Sequence, residues 1–169
     1  MSLLILVISQ REKKVRGEAY ENIVIQQLES LGCLVAERHR GYEQQESLPD
    51  LYAYCDGKLK RIEVKETTSI HLEGEGTRAG RFVLSEKVVP KECYAFGIDD
   101  YEQEVVTTDF VKKGDPDEYV RTHGKRPKYP ISRLLEVRDG QRCFPKVGTI
   151  EIPRQQMLEE VDKVARSWR

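Results

Sequence analysis

Apolar residues recur with helical spacing near both ends of the chain and follow shorter, strand-like patterns between them. Ser9 and Glu12 resemble a capping box, which predicts a first helix that begins there and stops at Gly32. Pro153 is expected to open a closing helix. The predicted core-facing stripes are Tyr20, Val24, Ile25, Leu28 and Leu31 in the first helix, and Met157, Leu158, Val161, Val164, Ala165 and Trp168 in the last.

The middle of the chain predicts strands and turns. Residues 67–81 contain three glycines and predict a flexible loop, and residues 82–90 give no clear preference. Residues 94–98 and 104–108 are expected to form a hairpin. The remaining predicted strands are residues 33–36, 50–55, 58–65 and 149–152. This order of elements predicts a mixed α/β or α+β fold without internal repeats.

The most informative segment is the predicted hairpin at residues 48–66. Asp56-Gly57 is the two-residue loop typical of a type I′ turn, in which both positions have positive φ. Such a loop pairs Cys55 with Lys58 and, by the same register, places Asp50 directly opposite Glu63. Their Cβ atoms would then be about 5 Å apart, and like charges in that position destabilise a sheet. We therefore expect another group to offset the repulsion.

Alternation along the second strand places Glu63 and Lys65 on one face, with Asp50 beside them. Val64 then faces the core. Two carboxylates suit a hard cation such as Mg²⁺ or Mn²⁺, and a nearby ammonium can orient a bound water or stabilise a transition state. A surface ladder of salt bridges is the alternative, but it accounts poorly for two opposed acids.

Length and composition favour one domain spanning residues 1–169. The chain has 169 residues, 38% hydrophobic and 34% charged, which is typical of a globular protein with a charged surface. The apolar run at residues 3–8 is too short to cross a membrane and lacks the features of a signal peptide. The four cysteines show no zinc-binding spacing, so we expect buried, reduced thiols in a cytoplasmic protein.

The charge distribution is uneven although the formal net charge is only −1. Residues 121–146 hold eight basic side chains against two acids, within a basic C-terminal extension at about residues 112–148. The segment HGKRPKYP contains Pro and Gly and predicts an exposed loop. It is either a solvated loop or a surface that contacts phosphates. The candidate nucleic-acid contacts are Lys125, Arg126 and Lys128, together with Arg38, Arg40 and Arg81.

Three short motifs carry a family resemblance. Pro49-Asp50 followed by Glu63-Val64-Lys65 resembles the motif of the PD-(D/E)xK nuclease superfamily, and the upstream segment RGEAYE is similar to the start of archaeal Holliday-junction resolvases. The resemblance covers about residues 12–100. It implies a restriction-endonuclease-like central mixed sheet flanked by helices. It also implies Asp50, Glu63 and the Val64 carbonyl as metal ligands, with Lys65 and Glu21 as further catalytic residues.

The resemblance implies a Mg²⁺-dependent endonuclease that hydrolyses DNA phosphodiesters, with Mn²⁺ as a possible substitute. The substrate would be branched or duplex DNA, as in recombination or repair. The glycine-rich loop and the basic C-terminal half have no counterpart in compact resolvases, so the four-way junction stays open as a substrate. A homodimer is expected, because cutting two strands favours paired sites. The alternatives are a nucleic-acid-binding protein that does not cleave and an unrelated α/β protein.

Overall fold

The computed structural model describes residues 3–37, 48–71, 78–85 and 89–168. Within these ranges the helices are α1 (Leu3–Ser30), α2 (Gly114–Thr122), α3 (Ile131–Val137) and α4 (Arg154–Ser167), and a short 3₁₀ helix spans Arg138–Gly140. The strands are β1 (Leu34–Glu37), β2 (Leu51–Cys55), β3 (Lys58–His71), β4 (Arg78–Ala79), β5 (Arg81–Val83), β6 (Cys93–Asp100), β7 (Val105–Lys112), β8 (Lys128–Pro130) and β9 (Ile150–Pro153).

The main sheet has the order β1-β2-β3-β6-β7-β9, and β4 pairs with the far end of β3. Only β3 and β6 run parallel, and the other neighbours along this order are antiparallel. Strands β5 and β8 form a separate antiparallel pair. The structure confirms the predicted mixed α+β fold with a central mixed sheet flanked by helices.

Each face of the sheet packs against its own apolar cluster. Helices α1 and α4 cover the face that carries Ile62 and Val64, and we call this the helix face. The opposite face carries Tyr94 and Phe96 and packs against the β5–β8 pair, α2 and α3. We call it the ribbon face. Because Glu63 and Lys65 are the register partners of Tyr94 and Phe96, both lie on the ribbon face.

The predicted hairpin register is confirmed. Asp56 and Gly57 have φ values of +50° and +77°, as a type I′ turn requires. Cys55 pairs with Lys58, and the ladder continues in step to Leu51 opposite Ile62. Local turn chemistry therefore sets the position of every residue in β2 relative to β3.

Two expected boundaries of the elements are wrong. Helix α1 begins at Leu3, so Ser9 lies within it and does not cap its start, because the apolar run before Ser9 extends the helix toward the N-terminus. The segment expected to be a flexible loop at 67–81 is partly strand. Strand β3 continues to His71, supported by parallel pairing with β6 through Ser69. Residues 72–77 of that loop lie outside the described residues.

Other expectations about the elements are confirmed with small shifts. Gly32 follows α1 with φ of +89°, the conformation that ends helices at glycine. The second hairpin and the last strand are present as β6–β7 and β9. The apolar stripes of the helices are buried or half-buried except at their ends, where Leu31 and Trp168 are 40% and 38% exposed.

The cysteines are buried, as expected, but they are paired and not reduced. Cys33 is bonded to Cys55, and Cys93 to Cys143, with Cα atoms 4.6 Å and 6.0 Å apart. The prediction of reduced thiols is therefore wrong, because the sheet brings together cysteines that are distant in sequence. The predicted cytoplasmic location rested partly on free thiols and loses that support. Within the described residues no helix is long and apolar enough to cross a membrane.

Gly97 is required where α1 crosses the sheet. A Cβ at this position would collide with the ring of Tyr20, whose hydroxyl lies 2.6 Å from Thr108 Oγ1. We expect Gly97→Ala to lower the free energy of unfolding by about 3 kcal/mol or more, because the buried ring has no room to move. Chemical denaturation measures this. Gly148→Ala, where a Cβ meets no atom, is the control, and equal losses in both variants would refute the assignment.

Candidate active site

The candidate site lies where β2 ends while β3 continues. Pairing between the two strands stops at Leu51 and Ile62, and Asp50 immediately precedes β2. The Asp50 carboxylate accepts a hydrogen bond from the Val64 N–H at 2.8 Å, measured from N to Oδ2. The Asp50 side chain therefore replaces a backbone acceptor at the edge of β3, just beyond the last residue pair of the β2–β3 ladder.

Pro49 limits the backbone hydrogen bonds that the chain before β2 can make to this edge of β3. Cys55 and Lys58 close the hairpin as a hydrogen-bonded pair, so the even-numbered residues of β3 direct their N–H and C=O groups toward β2. By that register the next partner of Val64 is position 49. Proline has no N–H to donate, so the Val64 carbonyl receives no ladder hydrogen bond from it. The carbonyl and the Asp50 carboxylate thus lie at the same edge of the strand.

Glu63 is the most perturbed acid in this site. Its side chain is almost fully buried, with the residue 7% exposed. Burial, a hydrogen bond with Asp50 and the charge of Asp50 raise the pKa of Glu63 to about 8, while Lys65 and Lys91 oppose the rise. The hydrogen bond between the two carboxyl groups shows that Asp50 and Glu63 adjoin, as the sequence predicted.

Lys65 lies on the same face of β3 as Glu63, two residues farther along, and is half-buried. Its positive charge stabilises the ionised form of Glu63. The structure therefore brings Asp50, Glu63, Lys65 and the Val64 carbonyl into one small region, although Val64 directs its side chain to the helix face. Their catalytic roles stay a prediction.

Glu21, the remaining predicted catalytic residue, lies on helix α1 and not on the β2–β3 hairpin. It is half-buried on α1, and α1 packs on the helix face, across the sheet from the side chains of Glu63 and Lys65. Its approach to Asp50 and Glu63 stays a prediction.

The donor set fits a hard divalent cation. Asp50, Glu63 and the Val64 carbonyl offer three oxygen donors, and Mg²⁺ usually keeps several waters in addition to one or two carboxylates. The raised pKa of Glu63 fits as well, because a cation would relieve the repulsion between the acids. No group of three or more His, Cys, Asp or Glu side chains that could hold a metal occurs among the described residues. The main-chain carbonyl and waters would have to complete the coordination.

Fewer basic side chains at residues 121–146 are available to contact phosphates than the composition of this segment indicates. Four of its arginines are held in ion pairs: Arg121 with Glu118, Arg133 with Asp115, Arg138 with Asp109, and Arg142 with Asp109 and Asp139. The expected exposed loop is confirmed at residues 123–126, whereas residues 128–130 form β8.

Of the candidate DNA contacts, Lys125, Arg126, Lys128 and Arg81 are exposed. No ion pair within the described part of the chain involves them. Arg38 and Arg40 lie outside it.

Two charged groups near the site were missed by sequence reasoning. Lys91 and Asp117 form a buried ion pair of 3.1 Å, and the Tyr94 hydroxyl also donates to Asp117 at 2.6 Å. Tyr94 is the register partner of Glu63, so this cluster lies beside the site on the ribbon face. Nothing in the local sequence marks Lys91 as buried, since its partner is 26 positions away.

The second missed group lies on the helix face. Arg16 donates to Glu66 and Asp99, each at 2.7 Å, and Arg154 of α4 donates to Asp99 at 3.0 Å. Arg16 belongs to the RGEAYE segment, so that motif has a structural use here. The network ties α1 and α4 to β3 and β6.

Glu63 should make stability depend on pH in the metal-free protein. Because the folded pKa is about 8, above the ordinary value of 4.5, stability is retained below pH 4.5 and lost as pH rises toward 8. We expect Glu63→Gln to raise the free energy of unfolding at pH 9 by about 2 kcal/mol, and much less at pH 5. Denaturation with EDTA at several pH values measures this.

Glu92→Gln is the control for that experiment. Its hydrogen bonds with Arg61 lower the pKa of Glu92, so its carboxylate contributes stability that is lost as pH falls. The side chain is partly exposed, so a small effect of opposite sign is expected. A Glu63→Gln curve parallel to wild type would refute the buried-acid assignment.

Comparisons with known proteins add little to this geometry. A scan of the chain against protein-family models found no match, and a search of the curated proteins found none. Among solved structures, a bacterial homing endonuclease, I-Ssp6803I, is similar with a TM-score of 0.41 and 13% sequence identity, over 91% of this chain and 94% of that one. A likeness this weak carries no argument about function, which therefore rests on the site.

Proposed function

We propose that the protein is a metal-dependent endonuclease that hydrolyses phosphodiester bonds in DNA. The observation that carries this proposal is the pair of adjoining carboxyl groups, Asp50 and Glu63, at a strand edge where Pro49 donates no ladder hydrogen bond to the Val64 carbonyl. Burying two acids together destabilises a fold, and a resident cation is the simplest group that offsets the cost. Mg²⁺ is proposed as that cation, with Mn²⁺ as a substitute.

Each residue would have a distinct task. The Asp50 and Glu63 carboxylates and the Val64 carbonyl would hold the cation, and the hydrogen bond from the Val64 N–H fixes the orientation of Asp50. When bound, a divalent cation acidifies a coordinated water and neutralises charge on a phosphate. The Lys65 ammonium would stabilise negative charge that develops on the phosphate or on the attacking water. Burial around Glu63 strengthens these interactions by reducing screening.

A cleavage assay with defined DNA tests the proposal. Branched, linear duplex and single-stranded DNA would each be incubated with the protein, with Mg²⁺ and with EDTA. Products only in the presence of Mg²⁺ would support the proposal, and the preferred DNA would show whether the enzyme selects branched structures. DNA binding without products under any metal condition would instead favour a binding protein that does not cleave. The absence of both would remove DNA as the substrate.

We further propose a homodimer, because one site per chain must act on both strands of a duplex. Light scattering at micromolar concentration tests it. A monomer that still makes full double-strand breaks would refute the dimer without affecting the nuclease proposal.

A further inference from the structure

We propose that the β5–β8 pair is a ribbon that enters the major groove of duplex DNA and positions the bordering phosphates at the candidate site. This inference rests on the proposed nuclease function and adds to it the DNA form and the groove that is recognised. It is carried by three observations: the two faces of the ribbon, the chemistry of its outer face, and its position along β3.

The ribbon has one anchored face and one exposed face. Phe82 and Tyr129 are register partners, both fully buried, and their rings lie 4.6 Å and 5.6 Å from that of Phe96, between centroids. Alternation turns Arg81, Val83 and Lys128 to the opposite side, where all three are exposed. The packed aromatic rings thus anchor the ribbon to the sheet and fix the positions from which the exposed side chains project.

The outer face has the chemistry of a base-reading surface. Arg81 and Lys128 lie diagonally across the two strands, and arginine and lysine are the commonest partners of guanine in the major groove. Val83 lies in the same row and is 55% exposed, which suits contact with a thymine methyl group. A two-stranded ribbon is also narrow enough for the major groove, about 12 Å wide, but not for the minor groove, about 6 Å wide.

The end of the ribbon adds charge for phosphates. Lys125 and Arg126 are exposed in the loop that precedes β8. A hydrogen bond from the Leu84 N–H to the Pro127 carbonyl extends the ladder by one pair beyond β5 and β8. This end of the ribbon therefore presents two positive charges to the solvent.

The ribbon lies close to the candidate site on the same side of the sheet. Gly80, just before β5, packs against the Thr68 carbonyl, and a Cβ there would collide with it. Thr68 is four residues beyond Val64 on β3, a distance of about 13 Å along a strand. Lys65 is also the register partner of Phe96, on which the ribbon packs. A ribbon inserted in the groove would therefore place the site near the bordering phosphate strand.

Groove-blocking measurements test this inference in metal-free protein, where binding is separated from cleavage. One duplex would be used in three forms: unmodified, with its minor groove filled by netropsin, and with its major groove filled by glucosylated 5-hydroxymethylcytosine. Fluorescence anisotropy measures the Kd of each. We expect the filled major groove to weaken binding by about 10-fold or more and the filled minor groove to change it by less than about 2-fold. Equal affinity for the open and filled major groove would overturn the inference.

Matched variants assign the effect to the ribbon. Arg81→Ala and Lys128→Ala should weaken binding to the unmodified duplex and reduce the preference for an open major groove. Lys146→Ala removes an exposed charge outside the ribbon and should keep that preference in full. A Lys146→Ala variant that loses the preference as much as Arg81→Ala would contradict the assignment, and circular dichroism confirms that each variant is folded.

The outcomes separate this inference from the nuclease proposal. Wild-type protein that cuts duplex DNA with Mg²⁺ but binds the filled major groove normally would refute the ribbon and leave the nuclease intact. Preference for single-stranded DNA over the duplex would also refute the ribbon inference and leave the nuclease proposal intact. Protein that neither binds nor cuts any DNA would refute both.

Discussion

Asp50→Ala or Glu63→Ala should lower the rate of DNA cleavage by roughly three orders of magnitude, equivalent to about 4 kcal/mol of transition-state stabilisation. Each change removes one of the two carboxylates proposed to hold the cation. DNA binding should persist in both variants and tighten in Asp50→Ala, because a negative charge leaves the surface that faces the phosphates. Glu63→Ala removes little charge in EDTA, since burial and Asp50 raise the pKa of Glu63 to about 8. Single-turnover cleavage with Mg²⁺ and anisotropy with EDTA measure the two effects separately.

Asp50→Asn refines this experiment. Its amide oxygen can still accept the hydrogen bond from the Val64 N–H, so the strand edge is retained while the charge is lost. We expect cleavage to fall as in Asp50→Ala. Lys65→Ala should also stop turnover but leave metal binding nearly unchanged, since Lys65 is proposed to act on the water and the developing charge. Cleavage at the wild-type rate by either Asp50 variant would show that the nuclease proposal for this hairpin is wrong.

Lys91→Met should lower the free energy of unfolding by about 3–5 kcal/mol, because it leaves the Asp117 carboxylate buried without a cation. The ion pair is 3.1 Å long, and both side chains are only 2% exposed. The Tyr94 hydroxyl would remain as a hydrogen-bond donor to Asp117, but a hydroxyl does not neutralise the charge. Urea denaturation with and without EDTA measures the loss and shows whether metal binding alters it.

Two variants identify the cause of that loss. Asp117→Asn in the Lys91→Met background removes the buried charge and keeps an acceptor for Tyr94, so the double variant should be more stable than Lys91→Met alone. Arg121→Met breaks the exposed pair with Glu118 and should change stability by less than about 1 kcal/mol. A double variant no more stable than Lys91→Met would mean that lost packing, and not the unpaired carboxylate, causes the loss.

The hairpin was predictable because its geometry is decided by neighbours in the chain. Asp56-Gly57 permits one tight turn, and the period of two along each strand carries the register from that turn to Asp50 and Glu63. Closing helix α4 was predictable for a similar reason, since Pro153 and the spacing of Met157 and Val164 are local signals. Where local signals competed, prediction was wrong: Ser9 resembles a cap, but the apolar residues before it extend α1.

Contacts between distant parts of the chain decided the features of the fold and of the candidate site that local signals did not predict. Pairing with β6 keeps β3 extended past the glycine-rich region, and it places Glu63 and Lys65 on the face opposite α1. The sheet also joins Cys93 to Cys143 and buries Lys91 against Asp117, pairs that no spacing in the sequence indicates. Half of the basic residues at 121–146 proved to be held in ion pairs, because side-chain partners follow from the packed structure and not from composition. Two opposed acids and a turn were thus visible in the sequence, whereas tertiary packing alone decided their burial and the neighbours that surround them.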